Sequence, residues 1–306
     1  MTRSNLNQFK GIHVAISSCY DTEGNISTAA VRRLIRFLIE RKVNGVYVGG
    51  STGEGLLQTV DERKQVLEAV IQESRGEITV MAHIGAINTR DSVELAVHAE
   101  RVGADAVSAV PPFYYRYSEK AVRKHWQAIL MSSDLPFIIY HIPSTTGFSL
   151  TSGLLREMIE DPKVIGVKIS SGSTYELERF KAVGGDDFLL FNGPDEQYLA
   201  GRIMGADAGI GGTYGVMPEL FVRMEQLYAA GRLNEAQKLQ TAINDIISGL
   251  LGLPIHSALK ELLRLRGVDC GSVRAPMEEI TESQQPMVAL LHEKIRGAID
   301  TFIPNS

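Results

Sequence analysis

The sequence predicts an α/β protein, a closed barrel of eight parallel strands wrapped by helices and followed by a C-terminal helical appendage. Three observations carry this expectation. Short apolar segments alternate with longer stretches of helical period, eight such strand–helix units follow one another, and after Gly231 the alternation stops while apolar stripes of helical spacing continue. Units joined by short loops imply parallel strands with right-handed crossovers, and eight of them close into a (β/α)₈ or TIM barrel. Residues 1–230 are therefore assigned to the barrel and 231–306 to a three-helix extension, which has no strand of its own and must pack on the barrel or on a partner subunit.

The first unit is the apolar segment Ile12 to Ser18, then a helix with Ser27 as its cap and Val31, Leu34, Ile35 and Leu38 as its stripe. Val43 to Gly49 leads into the Gly-rich turn Gly49-Gly50-Ser51-Thr52-Gly53-Glu54-Gly55 and a helix opened by the capping box Thr59 with Glu62. Ile78 to Ala82 precedes a helix from about Asn88 to Val102, and Ala106 to Val110 precedes Pro111-Pro112-Phe113-Tyr114-Tyr115 and a helix from Ser118. Phe137 to Tyr140 leads through His141-Ile142-Pro143 to a helix from Thr151, and Val164 to Ile169 leads to a helix near Tyr175 to Val183. Phe188 to Phe191 precedes a helix from about Pro194, and Ala208 to Ile210 precedes one from Pro218. In the appendage the stripes are Leu233, Ala236, Leu239, Ile243, Ile246, Ile247 and Leu250, then Leu259, Leu262 and Leu263, then Val288, Leu291, Ile295 and Ile299.

A doubly wound open sheet is the alternative, but the first strand–helix junction lacks a Gly-rich dinucleotide fingerprint, and no Gly-Lys-Ser/Thr follows the glycines after the second strand. Composition narrows the function classes. The 306 residues are 44% hydrophobic and 22% charged, enough for one large core, and the formal net charge of −5 argues against nucleic acid as a partner. Cys19 and Cys270 have no metal-type spacing and suggest no disulfide framework, which fits a reducing cytoplasm. Neither a signal peptide at the N-terminus nor a run of roughly 18 apolar residues for a membrane span is visible.

Chemistry in such a barrel sits on the loops after the strand carboxyl ends. The strand Val164-Ile165-Gly166-Val167-Lys168-Ile169 reads as buried on both faces, yet carries Lys168 at its end. Desolvation there favours the neutral amine that attacks a carbonyl; a lysine that snorkels out or pairs with an acid is the structural alternative. Ser51 and Thr52 lie between glycines, where converging amides and two hydroxyls suit a carboxylate, although a tight turn alone accounts for Gly50 and Gly53. Tyr114 and Tyr140, at the fourth and fifth strand ends, are proton-shuttle candidates or half-buried packing residues. Gly193-Pro194-Asp195-Glu196 places two acids at a helix opening, where they complement the helix dipole or accept hydrogen bonds from a polyhydroxylated substrate. The histidines include no His-x-His or His-x-x-x-His pair; spacing still leaves a metal-dependent aldolase as an alternative, one that does not account for Lys168. A catalytically silent binding or regulatory protein that kept the barrel, and a lysine holding pyridoxal phosphate, are the readings from other classes.

The segments Gly49 to Glu54, Tyr140-His141-Ile142-Pro143, Gly166-Val167-Lys168 and Asn192 to Glu196, in this order and at these separations, resemble the N-acetylneuraminate lyase and dihydrodipicolinate synthase family of pyruvate-dependent class I aldolases. The resemblance spans nearly the whole chain. It implies that Lys168 forms a Schiff base, that Tyr140 is the acid/base, that Ser51 and Thr52 hold the pyruvate carboxylate, and that Tyr114 completes a proton relay in a neighbouring subunit of a homotetramer. No metal or diffusible cofactor is implied. Thr145 stands where the synthase branch carries arginine, whereas Asp195 and Glu196 resemble the acids that bind the sugar tail in the lyases, with Ser170 in place of a threonine. The implied reaction is cleavage of N-acetylneuraminate to N-acetylmannosamine and pyruvate, with another 2-keto-3-deoxy sugar acid, or 4-hydroxy-tetrahydrodipicolinate synthesis, as alternatives. Two departures bear on the choice: His141 replaces an asparagine, and Gly212 replaces a serine that contacts the sugar.

Overall fold

The computed structural model describes residues 6–303; the outermost ends of the two assigned domains, 1–5 and 304–306, lie outside the described residues. Eight apolar runs become the strands β1 (Gly11–Ala15), β2 (Gly45–Val48), β3 (Thr79–His83), β4 (Ala106–Ala109), β5 (Phe137–His141), β6 (Val164–Ile169), β7 (Leu189–Asn192) and β8 (Ala208–Gly211). All are parallel and pair in chain order, and β1 bonds to both β2 and β8, closing the barrel. Every strand residue is buried, the outer face against helices and the inner face against the other strands, which is why the sequence shows continuous apolar runs here rather than alternation.

The surrounding helices are α1 (Thr28–Glu40), α2 (Val60–Ser74), α3 (Thr89–Val102), α4 (Glu119–Ser132), α5 (Pro143–Thr146), α6 (Ser152–Met158), α7 (Thr174–Gly184), α8 (Tyr198–Ile203) and α9 (Pro218–Ala229). Their starts follow local chemistry. Ser27, Asn88, Ser118, Thr151 and Ser173 each accept a hydrogen bond from a first-turn amide, and Thr59 with Glu62 forms the reciprocal capping box; each such cap contributes about 1 kcal/mol.

Three differences from expectation have a structural reason. The first strand stops at Ala15, not Ser18, because the chain then turns outward and Tyr20 donates its amide to the Cys270 carbonyl at 3.0 Å. The one-turn helix α5 was not anticipated; it begins on Pro143 and ends at Gly147 in the left-handed region at φ 65°, the usual punctuation of a short helix. The helix expected from about Pro194 opens instead as a 3₁₀ turn, Asp195–Gln197, before α8.

The appendage forms the three expected helices, α10 (Leu233–Leu250), α11 (Ile255–Leu265) and α12 (Gln285–Phe302), with an irregular strap over 266–284. Their stripes, including Leu239, Ile243, Leu259, Leu262, Leu291 and Ile295, join the same hydrophobic core as the barrel helices. A second core fills the barrel interior with Tyr47, Met81, Ile138, Tyr140, Phe191 and Ile210, and Phe9 from the 3₁₀ turn Leu6–Phe9 joins it, with the Phe9 carbonyl accepting from His13 Nε2 at 2.8 Å. Burial holds His13 neutral, with a pKa lowered to about 4. No helix among the described residues is by itself long and apolar enough to cross a membrane.

Candidate active site

Register and alternation decide which side chains meet. Tyr140 on β5 lies opposite Lys168 on β6, which lies opposite Phe191 on β7. Residues in register across neighbouring strands face the same side, so Tyr140 and Lys168 both point into the barrel. His141, one residue on, points outward: it packs edge-on against Phe180 and its Nε2 lies 3.3 Å from Glu176 Oε1, both on α7. The asparagine-to-histidine departure thus falls on the helical layer, not among the site side chains.

Lys168 is 5% exposed. Its Nζ lies 4.1 Å from the centre of the Tyr140 ring and 4.7 Å from that of Tyr47. An acid shares the setting: the charge on Lys168 acts on the buried carboxyl of Asp195, from the turn after β7. Burial pushes the Tyr140 phenol up, but the positive charge of Lys168, with hydrogen bonding from Ser170, Ser51 and Lys168, outweighs it and brings the phenol below its ordinary value of 10. A phenol that ionises more readily beside an amine is suited to moving a proton at neutral pH.

Two residues without an assigned role shape the floor. Tyr47 is fully buried and donates its hydroxyl to Ser108 Oγ at 3.0 Å. His83 lies edge-on to the Tyr140 ring, 5.8 Å between centres, and its Nδ1 is 3.0 Å from the Gly49 carbonyl. A carbonyl only accepts, so Nδ1 carries the proton and Nε2 is left as a buried acceptor. Burial, and then the charge of Arg63, lowers the His83 pKa to about 3, so the ring is neutral. Arg63 itself is buried and donates to the carbonyls of Gly85 and His83 at 2.9 and 2.7 Å, with a pKa brought down to about 10 by desolvation. The period of two along a strand, which puts Tyr47 on the face of β2 shared with Gly45, was the available signal for Tyr47; nothing local marks Arg63, which reaches the strand ends from α2.

The turn after β2 carries Ser51 and Thr52. Gly49 holds φ 74°, and a Cβ on Gly55 would fall 2.0 Å from the Gly49 carbonyl oxygen, so the two glycines fold the loop onto itself. Thr52 faces the end of β8: a Cβ on Gly212 would sit 2.6 Å from Thr52 Oγ1. Gly193 likewise leaves room for Ser170, whose Oγ would be 2.2 Å from a Cβ there. The turns after β2, β6, β7 and β8 therefore converge around Lys168.

Asp195 is 8% exposed, and its Oδ2 accepts from the Thr213 amide at 2.8 Å and the Thr213 hydroxyl at 2.6 Å. Its Oδ1 is buried without a partner. Desolvation raises the carboxyl to about 6, even though the Thr213 hydrogen bonds and Lys168 pull the other way. Glu196 is exposed at the rim, held through its carbonyl by Asn244 Nδ2 of α10 at 2.9 Å. Tyr114 is not brought to this cluster; it is 84% exposed, takes φ 79°, and stacks edge-on with Tyr115 at 5.1 Å between ring centres.

Residues 8–294 match the model of the dihydrodipicolinate synthetase family. The chain belongs to that family. It is 40% identical over 306 residues to an N-acetylneuraminate lyase of Mediterraneibacter gnavus, covering 99% of this chain and 97% of the relative. Among solved structures it is similar to a catalytic lysine mutant of Ruminococcus gnavus sialic acid aldolase, with a TM-score of 0.96, 40% identity, and coverage of 98% of this chain and 99% of that one. It is also similar to a Clostridium difficile protein solved in complex with mannosamine, with a TM-score of 0.91, 36% identity, and coverage of 94% and 99%. Membership covers barrel and appendage alike, since the match runs into α12.

Proposed function

We propose that this chain is an N-acetylneuraminate lyase that works through a Schiff base on Lys168. The observation that carries the reading is the buried amine of Lys168 set against the Tyr140 ring, with the hydroxyls of Ser51 and Ser170 about the phenol. A relative 40% identical described as a catalytic lysine mutant of a sialic acid aldolase supports the same role for a lysine.

The amine of Lys168 adds to the keto carbon of the open-chain sugar acid, and water leaves to give the protonated imine. Tyr140 takes the proton of the hydroxyl on the fourth carbon as the bond between the third and fourth carbons breaks, and the bonding electrons pass into the imine to form an enamine. N-acetylmannosamine departs as the aldehyde; protonation of the enamine at the third carbon and hydrolysis of the imine release pyruvate. Ser51 and Thr52 receive the pyruvate carboxylate. Asp195 Oδ1, buried and unpartnered, accepts from a sugar hydroxyl, and Ser170, Gly193, Glu196 and Gly212 line the tail. The exposed pair Tyr114 and Tyr115 fits the reading in which Tyr114 enters a neighbouring site of a homotetramer. A cytoplasmic setting fits the two free cysteines, Cys19 and Cys270.

Gly212 favours one other reading. With no hydroxyl at that position, a shorter 2-keto-3-deoxy sugar acid loses little relative to N-acetylneuraminate, and one missing contact shifts preference by about 1–3 kcal/mol. Borohydride reduction with pyruvate tests the chemistry: one adduct per chain is expected, located by peptide mass spectrometry on Lys168 and absent in Lys168→Ala. A label on another lysine, or none, ends the Schiff-base reading. Turnover of N-acetylneuraminate against shorter sugar acids then decides the substrate.

A further inference from the structure

The turn that carries Ser51 and Thr52 is gripped from outside the barrel. His256 and Lys260 stand four residues apart on α11 and so share one face of that helix. His256 Nε2 lies 3.1 Å from the Ser51 carbonyl, across 205 residues of sequence. Lys260 Nζ lies 2.7 Å from Glu54 Oε1, and both side chains are buried. The strap adds the Arg274 amide, which donates to Glu54 Oε2 at 2.8 Å, and the Arg274 guanidinium, which donates to the Leu57 carbonyl at 2.9 Å. Glu54, in the left-handed region at φ 51°, is a non-glycine residue in a conformation that persists only where its surroundings over-determine it.

We infer that His256 is a positioning residue for the pyruvate carboxylate: by donating to the Ser51 carbonyl it fixes the turn whose hydroxyls receive that carboxylate, so the appendage completes the binding half of the site. This rests on the function proposed above. A carbonyl oxygen only accepts, so Nε2 carries the proton and the ring acts as a neutral donor or an imidazolium alike. The anchor at Glu54 and Lys260 sets where α11 lies, and His256 sets the last contact, three residues upstream of Glu54 in the turn. Among the described residues His256 and Lys260 hydrogen-bond to Ser51, Ser272 and Glu54 and not to Asp195, Ser170 or Gly193 on the turns after β6 and β7, so the effect falls on the keto-acid side.

The test titrates pyruvate in borohydride trapping of the full chain, with Lys168→Ala as the blank, for wild type, His256→Ala and His256→Gln. His256→Ala is expected to need about five- to tenfold more pyruvate for half-maximal labelling, the loss of one hydrogen bond that orders the turn. Labelling at saturation and the thermal midpoint stay at the wild-type level. His256→Gln, whose amide nitrogen reaches the same carbonyl, restores the wild-type dependence. In the condensation direction the KM for pyruvate rises while that for N-acetylmannosamine holds. A wild type that labels beside a His256→Ala with the same pyruvate dependence overturns this inference alone, as does equal loss of both substrates or failure of glutamine to rescue. A wild type that takes no label overturns the function and the inference together.

Discussion

Replacing Asp195 by asparagine separates what the site costs from what it does. The carboxyl titrates at about 6 in the folded chain against an ordinary 3.8, with burial as the leading cause. A raised acid binds its proton more tightly folded than unfolded. Its contribution to stability is therefore fully present below pH 3.8 and is lost as the pH rises through 6. The shift is roughly two pH units, which corresponds to about 3 kcal/mol withheld from the folded protein at pH 8. Asparagine has no charge to desolvate, and its amide oxygen still accepts from the Thr213 amide and hydroxyl that Oδ2 now engages. Urea unfolding of wild type and Asp195→Asn across pH 3.5 to 8 is expected to give curves that meet at the acid end. They separate between about pH 4 and 6, with the variant more stable by up to about 3 kcal/mol at pH 8. The same variant loses the buried acceptor Oδ1, and its kcat/KM for N-acetylneuraminate is expected to fall about tenfold to a few hundredfold. Stability curves that run parallel over the whole range would refute the desolvation argument, and unchanged kcat/KM would remove Asp195 from the sugar site.

Tyr140→Phe is expected to reduce kcat by about 10² to 10⁴ while pyruvate still labels Lys168, because the phenol moves a proton but does not make the imine; retention of activity within tenfold contradicts this. Spectrophotometric titration of the wild type should show one tyrosine ionising below the ordinary value of 10, missing from Tyr140→Phe. Lys260→Met leaves Glu54 charged and buried and is expected to cost about 3–5 kcal/mol in urea unfolding, most of which Glu54→Gln added to it restores. Equal stability of the single and double variants would show that the pair does not bind barrel to appendage.

The alternation of strands and helices was legible because it is a local matter: period and capping residues lie within a few positions of one another, and Ser27, Asn88, Ser118 and Thr151 each mark the helix they cap. A lysine at the end of a buried strand was equally plain, and so was the turn that holds Ser51 and Thr52. Strand 1 was overrun by three residues because its end is set by the Tyr20 contact to Cys270, a residue from the strap that no local pattern reveals.

By itself the sequence determined the barrel, the helical tail and the place of Lys168, since hydrophobic period, turn chemistry and the burial of an amine are properties of short stretches. The tertiary structure alone decided which groups meet that amine. Closure of β8 on β1 and the register of β5 with β6 put Tyr140 beside Lys168, send His141 outward to Glu176, leave one oxygen of Asp195 unpartnered, and bring His256 to Ser51. Those contacts join residues tens to hundreds of positions apart, and their distances follow from how the whole barrel and its appendage pack, which no local pattern encodes.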